Sequence, residues 1–395
     1  MSSDYFNRLQ DRVDCILQQD ELTFQELVRK CKGAYPVDIL RILESQKYWS
    51  MEKAICMYKY YDVDYEKELI TENIDNNPVL CSWYFSVPTC KKVVDLYSWD
   101  NKTILFLGMP RLFEYFIKHV TNVYLVLVDL DYYVINKLKE KYGGNSNCRI
   151  IHANLNTLEF NLKEKYDFIF LDPPWYLEYY EIWTMQSYKL MQENDGTIIF
   201  PLFQELTRPN AKSERKYLLN NIKECAEKYS IIPDYIEYEI PTFEKRQLQN
   251  CGIELKSPWR KADLVVAKGI SKYVQIASKR EKDYDIDNWV EVDIFSLRLF
   301  INTNKNNEYE NVSIRYLSDN SSYLSSPSKR NMQLQLVNML TSRGQGYIVY
   351  AAEKLIPILN EIKKNIENGE NIKMALDLVC IDNLSKQILF EMLDN

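Results

Sequence analysis

The sequence predicts an α/β fold built on a doubly wound, mainly parallel sheet with helices on both of its faces. Short apolar runs alternate with longer amphipathic segments between residues 76 and 272, which is the pattern of strands joined by helices. Several of these runs end abruptly in glycine, aspartate or proline. With 395 residues, 46% of them hydrophobic, the chain can bury a large core and is expected to hold more than one domain.

The strands and helices of this central region follow one another in a regular order. Apolar runs typical of strands occupy residues 102–108, 122–129, 148–154, 166–172, 196–202, 235–240 and 262–269. Helices are predicted over residues 111–120, 132–142, 177–192 and 213–229. The last strand is expected to run antiparallel to its neighbours. Because ligands of such sheets bind beyond the carboxyl ends of the strands, functional residues are expected at those ends.

Residues 1–75 are predicted to form a separate helical domain. Thr23 and Glu26 have the spacing of a capping box at the start of a helix, and the turn at residues 32–36 leads into another helix. This order resembles a winged helix-turn-helix unit. Such a unit could contact nucleic acid or a protein partner, and both possibilities remain open.

Residues 273–395 are predicted to form a small α+β domain. Residues 289–302 alternate like a strand, residues 302–311 are polar and loop-like, and helices are expected over residues 332–342 and 352–367. A further loop over residues 318–331 carries Lys329 and Arg330, and it could present a nucleic-acid substrate.

The composition argues against several classes of protein. A net charge of −7 is atypical of a non-specific nucleic-acid binder, although a local basic groove remains compatible with it. The nine cysteines form no CxxC pair and the chain has two histidines, so we expect no metal site. This unpatterned set of cysteines suits the reducing cytoplasm. No apolar run is long enough to span a membrane.

The most informative stretch is Asp172-Pro173-Pro174-Trp175, which ends an apolar strand. The two prolines fix φ and supply no backbone N–H. Their carbonyl oxygens are expected to be free to accept hydrogen bonds. An aspartate carboxylate beside such a carbonyl offers two acceptors to the two N–H groups of an amine. The indole of Trp175 offers a flat surface on which a base can stack. These four residues are therefore candidates for an amine-binding catalytic site, and Tyr176 is a candidate for substrate binding.

A second candidate site follows the strand over residues 102–108. Leu107 and Gly108 lead into a helix that begins near Pro110 and Arg111, which is a position where α/β folds bind cofactors. The G-x-G-x-x-G pattern is absent, so an ordinary strand–helix turn is equally compatible with this stretch.

Polar residues follow the next two strands. Asp129 and Asp131 stand about 20 residues after Gly108, where an acid can accept hydrogen bonds from a ribose diol. Asp131 could instead cap the helix that follows, so Asp129 is preferred. Asn154 is placed to meet an adenine edge, whereas His152 is expected to be a packed strand residue.

Two basic residues precede the last strand. Arg260 and Lys261 could bind the phosphate of a substrate, or they could stand in a solvated turn. We keep both as candidates for substrate binding.

Two motifs carry a resemblance to a known family. Asp-Pro-Pro-Trp is the variant of the [DNS]-P-P-[YFW] motif of S-adenosylmethionine-dependent amino methyltransferases, and "LGMPRLFE" resembles the LGxPRLHE motif of the N6-adenine-type members. The likeness covers roughly residues 100–203. It implies a Rossmann-like class I methyltransferase domain in which the Gly108 loop borders the methionine part of S-adenosylmethionine. Phe113 stands where that family has histidine.

The resemblance leaves the substrate open. It favours the N6 amine of adenine in RNA or DNA, but the same family includes lysine methyltransferases. Branched-chain polyamine synthases are also similar, because they join a winged helix to a Rossmann-like domain with an Asp-Pro-Pro stretch. Their acidic GDDD stretch is replaced here by "GMPR". A non-catalytic protein that binds partners through residues 1–75 is the remaining alternative.

Overall fold

The computed structural model divides into two compact units. It describes residues 3–18, 22–45, 68–156, 162, 164–193, 195–270, 288–306, 308–318, 322–324 and 332–394. The first unit comprises Met1–Asn73, Trp83–Ile240 and Leu255–Arg280, and the second comprises Ile74–Ser82, Pro241–Glu254 and Glu281–Asn395. This grouping is coarser than the predicted division into residues 1–75, 76–272 and 273–395, and it assigns residues 241–254 to the second unit.

The first unit is built on a seven-stranded sheet. Its strands are β1 (Lys102–Leu107), β2 (Val123–Asp129), β3 (Cys148–His152), β4 (Phe168–Leu171), β5 (Thr197–Phe203), β6 (Ala226–Glu237) and β7 (Lys261–Ile270). Their order across the sheet is β3-β2-β1-β4-β5-β7-β6. The pairs among β1 to β5 are parallel, and β7 runs antiparallel to both β5 and β6. This is a doubly wound, Rossmann-like α/β sheet, so the predicted α/β fold class and the antiparallel last strand are confirmed.

Helices cover both faces of this sheet. Numbered after three N-terminal helices, they are α4 (Val87–Val94), α5 (Pro110–His119), α6 (Tyr132–Tyr142), α7 (Leu177–Leu190) and α8 (Ala211–Cys225). Aromatic side chains form part of the core beneath α5: the rings of Phe106 and Phe170 stack at 5.3 Å, and Phe113 and Phe116 pack edge-on against Phe106. Phe113 is fully buried here, which explains an apolar residue at that position.

Three helices precede the sheet: α1 (Ser3–Leu17), α2 (Phe24–Lys30) and α3 (Pro36–Ser45). The capping box predicted at α2 is present, because Thr23 and Glu26 exchange side-chain to backbone hydrogen bonds. The hydroxyl of Tyr5 on α1 donates to the carbonyl of Leu206, so these helices pack on the sheet unit. Residues 46–67, which would contain the wing of the predicted winged helix, lie outside the described residues.

The second unit contains a five-stranded antiparallel sheet. Its strands are β8 (Trp289–Ile294), β9 (Leu297–Asn302), β10 (Ser313–Tyr316), β11 (Met339–Thr341) and β12 (Gly346–Tyr350), in the order β10-β12-β11-β9-β8. Its helices are α9 (Thr242–Asn250), α10 (Gln333–Leu336), α11 (Ala352–Glu367), α12 (Ile372–Asp377) and α13 (Asn383–Asp394). Leu355, Leu359 and Ile362 of α11 are fully buried in the core of this unit.

Three predicted elements differ from the structure. The helix expected over residues 332–342 is wrong beyond α10, because residues 339–341 pair with β9 and β12 as strand β11. The strand expected over residues 289–302 is a hairpin that turns at Phe295. The helix expected over residues 213–229 ends at Cys225, where the long strand β6 begins and pairs with β7. In each case sheet pairing overrides a local pattern.

Neither a membrane-spanning helix nor a metal-holding cluster of side chains occurs among the described residues. None of the described helices is both long and apolar enough to cross a membrane. Within the same part of the chain, no group of three or more histidine, cysteine, aspartate or glutamate side chains is arranged to hold a metal ion. The loop of Lys329 and Arg330 lies outside the described residues.

Candidate active site

The two candidate motifs meet where the adjacent strands β1 and β4 end. Leu107 pairs with Leu171, and the backbone N–H of Asp172 donates to the carbonyl of Leu107 at 3.2 Å. Gly108 follows with a φ of +69°, and a Cβ atom placed on it would lie 2.8 Å from the ring of Trp183 and 3.5 Å from the carbonyl oxygen of Asp172. Glycine is therefore required at this turn, and it brings the predicted cofactor loop against the Asp-Pro-Pro-Trp stretch.

The carboxyl group of Asp172 is the centre of this site. It is half-buried, and its Oδ1 accepts a hydrogen bond of 2.8 Å from the hydroxyl of Tyr238. Trp175 also donates to it, and the positive charge of Arg260 acts on it. Burial is the largest influence and raises the pKa of Asp172 to about 8, while the two hydrogen bonds and Arg260 oppose this rise. The group can therefore change its charge near neutral pH.

The two proline carbonyls differ in what they can accept. The carbonyl of Pro174 accepts a hydrogen bond of 2.6 Å from the backbone N–H of Tyr176, which closes the turn before α7. The prediction that both carbonyls are open to a substrate is therefore wrong for Pro174. Within the described part of the chain, the carbonyl of Pro173 accepts no hydrogen bond. Asp172 and Pro173 therefore remain the candidate acceptor pair.

Trp175 belongs to an aromatic cluster beside Asp172. Its ring meets Tyr238 edge-on at 5.4 Å and lies 6.3 Å from the ring of Phe203. The guanidinium carbon of Arg260 lies 5.1 Å from the Trp175 ring and 3.8 Å from the ring of Trp83. The interpretation of Arg260 as part of a solvated turn is therefore wrong, since its side chain packs within this cluster.

Lys261 and Tyr176 have other neighbours. The Nζ of Lys261 lies 3.4 Å from the Oε1 of Glu237, which also pairs with Arg29 at 2.5 Å. The ring of Tyr176 lies 5.4 Å from the guanidinium carbon of Arg208. Lys261 is thus held in an ion-pair network at the start of β7, while Tyr176 is the N-cap residue of α7, directly after the Asp-Pro-Pro-Trp stretch.

The side chain of Arg111 is committed to the interior. Pro110 opens α5 as its first residue, and Arg111 follows, buried, with its guanidinium donating to the carbonyls of Thr71 and Phe85. Its guanidinium carbon also lies 5.1 Å from the ring of Tyr84. A contact between Arg111 and a cofactor would therefore come from its backbone.

Glu114 shares this interior with Arg111. Its buried carboxylate accepts hydrogen bonds from the backbone of Ile70, from both the backbone and the hydroxyl of Thr71, and from the hydroxyl of Tyr142. The conspicuous "PRLFE" stretch thus fastens residues 70–72 to α5. The charged side chains of Arg111 and Glu114 contribute to stability rather than to ligand binding, and this accounts for part of the motif.

The acids after β2 divide between two tasks. Asp131 caps α6, because its side chain accepts from the backbone N–H of Val134, as the alternative interpretation expected. Asp129 ends β2, and its Oδ1 accepts from the backbone N–H of Asp131 at 2.8 Å. This leaves Asp129 as the better candidate for a ribose.

His152 ends β3 and Asn154 follows it, and the structure differs from the expectation at His152. Asn154 accepts a hydrogen bond from the backbone N–H of Asn156, and Asn156 accepts one from the indole of Trp183. These contacts connect the end of β3 to the ring beside Gly108. His152 belongs to β3 but is exposed, with its ring 3.0 Å from the carbonyl of Leu130, so the expectation that it packs in the interior is wrong.

Three residues of the site escaped the sequence analysis. Tyr238 donates to Asp172, Trp83 meets the ring of Tyr238 edge-on, and Trp183 lies beside Gly108. Tyr238 stands in the strand-like run over residues 235–240, which also contains Tyr235, so its pattern resembles ordinary core. No sequence pattern distinguishes Trp83, which precedes α4, or Trp183, which lies within α7.

Comparison with known proteins gives fold-level likeness. No family model matches the chain, and no curated protein matches it in sequence. A branched-chain polyamine synthase mutein from Thermus thermophilus, solved with N4-aminopropylspermidine and 5'-methylthioadenosine, is 11% identical over 67% of this chain and 88% of its own, with a TM-score of 0.49. The N-methyltransferase NodS from Bradyrhizobium japonicum is 12% identical over 46% of this chain and 97% of its own, with a TM-score of 0.32. The assignment of the fold rests on the strand order rather than on these distant structures.

Proposed function

We propose that this protein is an S-adenosylmethionine-dependent amino methyltransferase that acts on the N6 amine of adenine in RNA or DNA. The observation that carries the proposal is the juxtaposition of Gly108 with Asp172 and Pro173 at the ends of two adjacent strands. This arrangement supports a methyl donor next to Gly108 and an acceptor amine next to Asp172 and Pro173.

The chain's residues fit S-adenosylmethionine at this edge of the sheet. The close approach of the Gly108 backbone to Asp172 and Trp183 supports a site for the methionine part next to Leu107 and Gly108. Asp129 would hold the ribose, and Asn154 would lie at the adenine edge. S-adenosylmethionine supplies a methyl group already activated for attack by a nucleophile, so the protein's task is to bind and orient the acceptor.

The acceptor amine is oriented by Asp172 and Pro173. An ionised carboxylate has about four lone-pair positions, so Asp172 can accept from an amine in addition to Tyr238 and Trp175. The carbonyl of Pro173 takes the second N–H, which turns the nitrogen lone pair away from both acceptors. Alignment of this kind lowers the barrier by about 7–11 kcal/mol in favourable cases.

Asp172 also acts on the charge that develops during the reaction. The nitrogen becomes positive as it forms the new bond, and a nearby carboxylate stabilises that charge. The ring of Trp175 would stack on the base. If the adenine lies in a duplex, it has to be extruded from the stack before it reaches this pocket. Residues 1–75 are candidates for presenting the nucleic acid or for binding a protein partner.

Incubation with radiolabelled S-adenosylmethionine and separate pools of RNA, DNA, protein and polyamine tests the proposal. We expect label in RNA or DNA, and we expect Asp172→Ala to abolish it. Asp195→Ala is a matched control, because that acid is largely exposed and pairs with Lys268 at 3.3 Å. Label in protein or polyamine would instead support the rival substrates, and label that survives Asp172→Ala would contradict the role of that residue.

A further inference from the structure

The guanidinium of Arg260 is surrounded by tryptophan rings. Its carbon lies 3.8 Å from the ring of Trp83, 5.1 Å from that of Trp175 and 5.4 Å from that of Trp259. Trp83 and Trp259 are buried and meet edge-on at 6.1 Å. A cation over aromatic faces is attracted to their negative potential. The side chain of Arg260 is therefore held in one place rather than extended into solvent.

Backbone pairing places this cluster beside Asp172. The carbonyl of Arg260 accepts from the backbone N–H of Tyr238 at 3.0 Å, and Tyr238 forms an antiparallel bridge with Phe85. Trp83 lies two residues before Phe85 and faces Tyr238 edge-on at 6.5 Å. Because Tyr238 itself donates to Asp172 through its hydroxyl, Arg260 and Asp172 are both bonded to the same residue, one through its backbone carbonyl and the other through its carboxyl group.

The charges around Asp172 are nearly balanced. The groups that act on its carboxyl are Tyr238, Trp175 and Arg260, and Tyr180 lies close enough to respond to its charge. Burial raises the pKa of both tyrosines well above the usual value, so both are neutral. Among the described residues, no second carboxylate contributes to the charge felt by Asp172. When Asp172 is ionised, the one fixed guanidinium therefore offsets the one carboxylate of the pocket.

We propose that Arg260 is a specificity-determining residue, which makes the pocket accept the neutral aromatic amine of a nucleobase and reject an alkylammonium such as lysine or spermidine. This inference rests on the proposed function. An alkylammonium gains little net attraction from a carboxylate whose charge is already offset. It also carries a proton that must be removed before the nitrogen can attack, beside a fixed positive charge. The neutral amine of adenine meets neither obstacle.

Binding measurements with S-adenosylhomocysteine at saturation test this role without relying on turnover. Adenosine and spermidine are the two probes, and saturation prevents adenosine from entering the cofactor site. Arg260→Met removes the charge and keeps an unbranched chain among the rings, while Arg260→Lys keeps the charge as the matched control. We expect wild type and Arg260→Lys to prefer adenosine, and Arg260→Met to bind spermidine about tenfold to a hundredfold more tightly than wild type does.

Two results would overturn the role of Arg260. One is spermidine binding that is unchanged in Arg260→Met while that variant still binds S-adenosylhomocysteine. The other needs no variant: wild-type protein that binds spermidine as tightly as adenosine. By contrast, binding preferences as expected without any methyl transfer to nucleic acid would refute the proposed reaction and leave the role of Arg260 standing.

Discussion

The hydroxyl of Tyr238 donates a hydrogen bond of 2.8 Å to Oδ1 of Asp172, although the two residues are far apart in the chain. Tyr238 follows directly after β6, and Asp172 follows β4. Tyr238 is buried, so the bond is sheltered from water and favours the ionised form of the carboxyl group. This pair therefore connects the end of β4 to the end of the edge strand β6.

Replacing Tyr238 with phenylalanine is expected to move the pH dependence of activity upward. The hydrogen bond lowers the pKa of Asp172, so its loss raises that pKa above about 8. Because a hydrogen bond to a charged group contributes about 1.5–3 kcal/mol, the midpoint of the kcat/KM profile should shift by about one unit or more. Tyr235→Phe is the matched control, since that hydroxyl binds the carbonyl of Lys92 on the exposed surface. Equal profiles for both variants would contradict this coupling.

Asp172→Asn is expected to stabilise the protein at high pH. The folded-state pKa of Asp172 is raised to about 8 from 3.8, so the folded protein keeps a proton that the unfolded chain releases. The stabilisation that protonated Asp172 gives the folded protein is fully present below pH 4 and is lost as the pH rises toward 8. Thermal melting should therefore give equal Tm values at pH 4 and a Tm higher by a few degrees for Asp172→Asn at pH 8. A Tm difference that does not grow with pH would show that this carboxyl has an ordinary pKa.

Gly108→Ala is expected to reduce both stability and cofactor binding. Its φ of +69° and the ring of Trp183 at 2.8 Å leave no room for a methyl group. We expect a loss of about 1–3 kcal/mol in the free energy of unfolding, together with weaker binding of S-adenosylhomocysteine in calorimetry. Gly144→Ala is the matched control, because nothing lies within 4 Å of the added atom there. Unchanged binding in Gly108→Ala would place the cofactor elsewhere.

Arg111→Met and Glu114→Gln are expected to lower stability more than cofactor affinity. Both side chains are buried and hold residues 70–72 through hydrogen bonds. Loss of one such charged partner costs about 1.5–3 kcal/mol per hydrogen bond, measured by chemical denaturation. Arg149→Met is a suitable control, because Arg149 forms an exposed pair with Glu164. A selective loss of cofactor binding in Arg111→Met, with stability intact, would instead assign the Arg111 side chain a role in cofactor binding.

Much of the fold could be predicted from the sequence because its elements have strong local patterns. The apolar runs of β1 and β2 are buried on both faces, and α6 and α11 follow clear helical periodicity. Residues 339–341 were mistaken for helix because a strand of three residues is decided by its partners in the sheet rather than by its own pattern.

The candidate site was predictable only where a motif is contiguous. Asp172 and Gly108 can be recognised in the sequence because each directly follows a predicted strand. Tyr238 and Trp83 reach the site only through pairing between segments that are distant in the chain. Arg111 shows the opposite case. It lies within a sequence motif, but its side chain forms hydrogen bonds in the protein interior. Which of two charged residues faces a ligand depends on packing that a single sequence does not reveal.

A crystal structure with S-adenosylhomocysteine bound tests the central claim most directly. We expect its sulfur to lie beside Gly108 and to face the carboxyl group of Asp172 and the carbonyl of Pro173, with its ribose on Asp129. Binding at another edge of the sheet, or a sulfur separated from Asp172 by the ring of Trp183, would contradict the assignment of this junction as the place of methyl transfer.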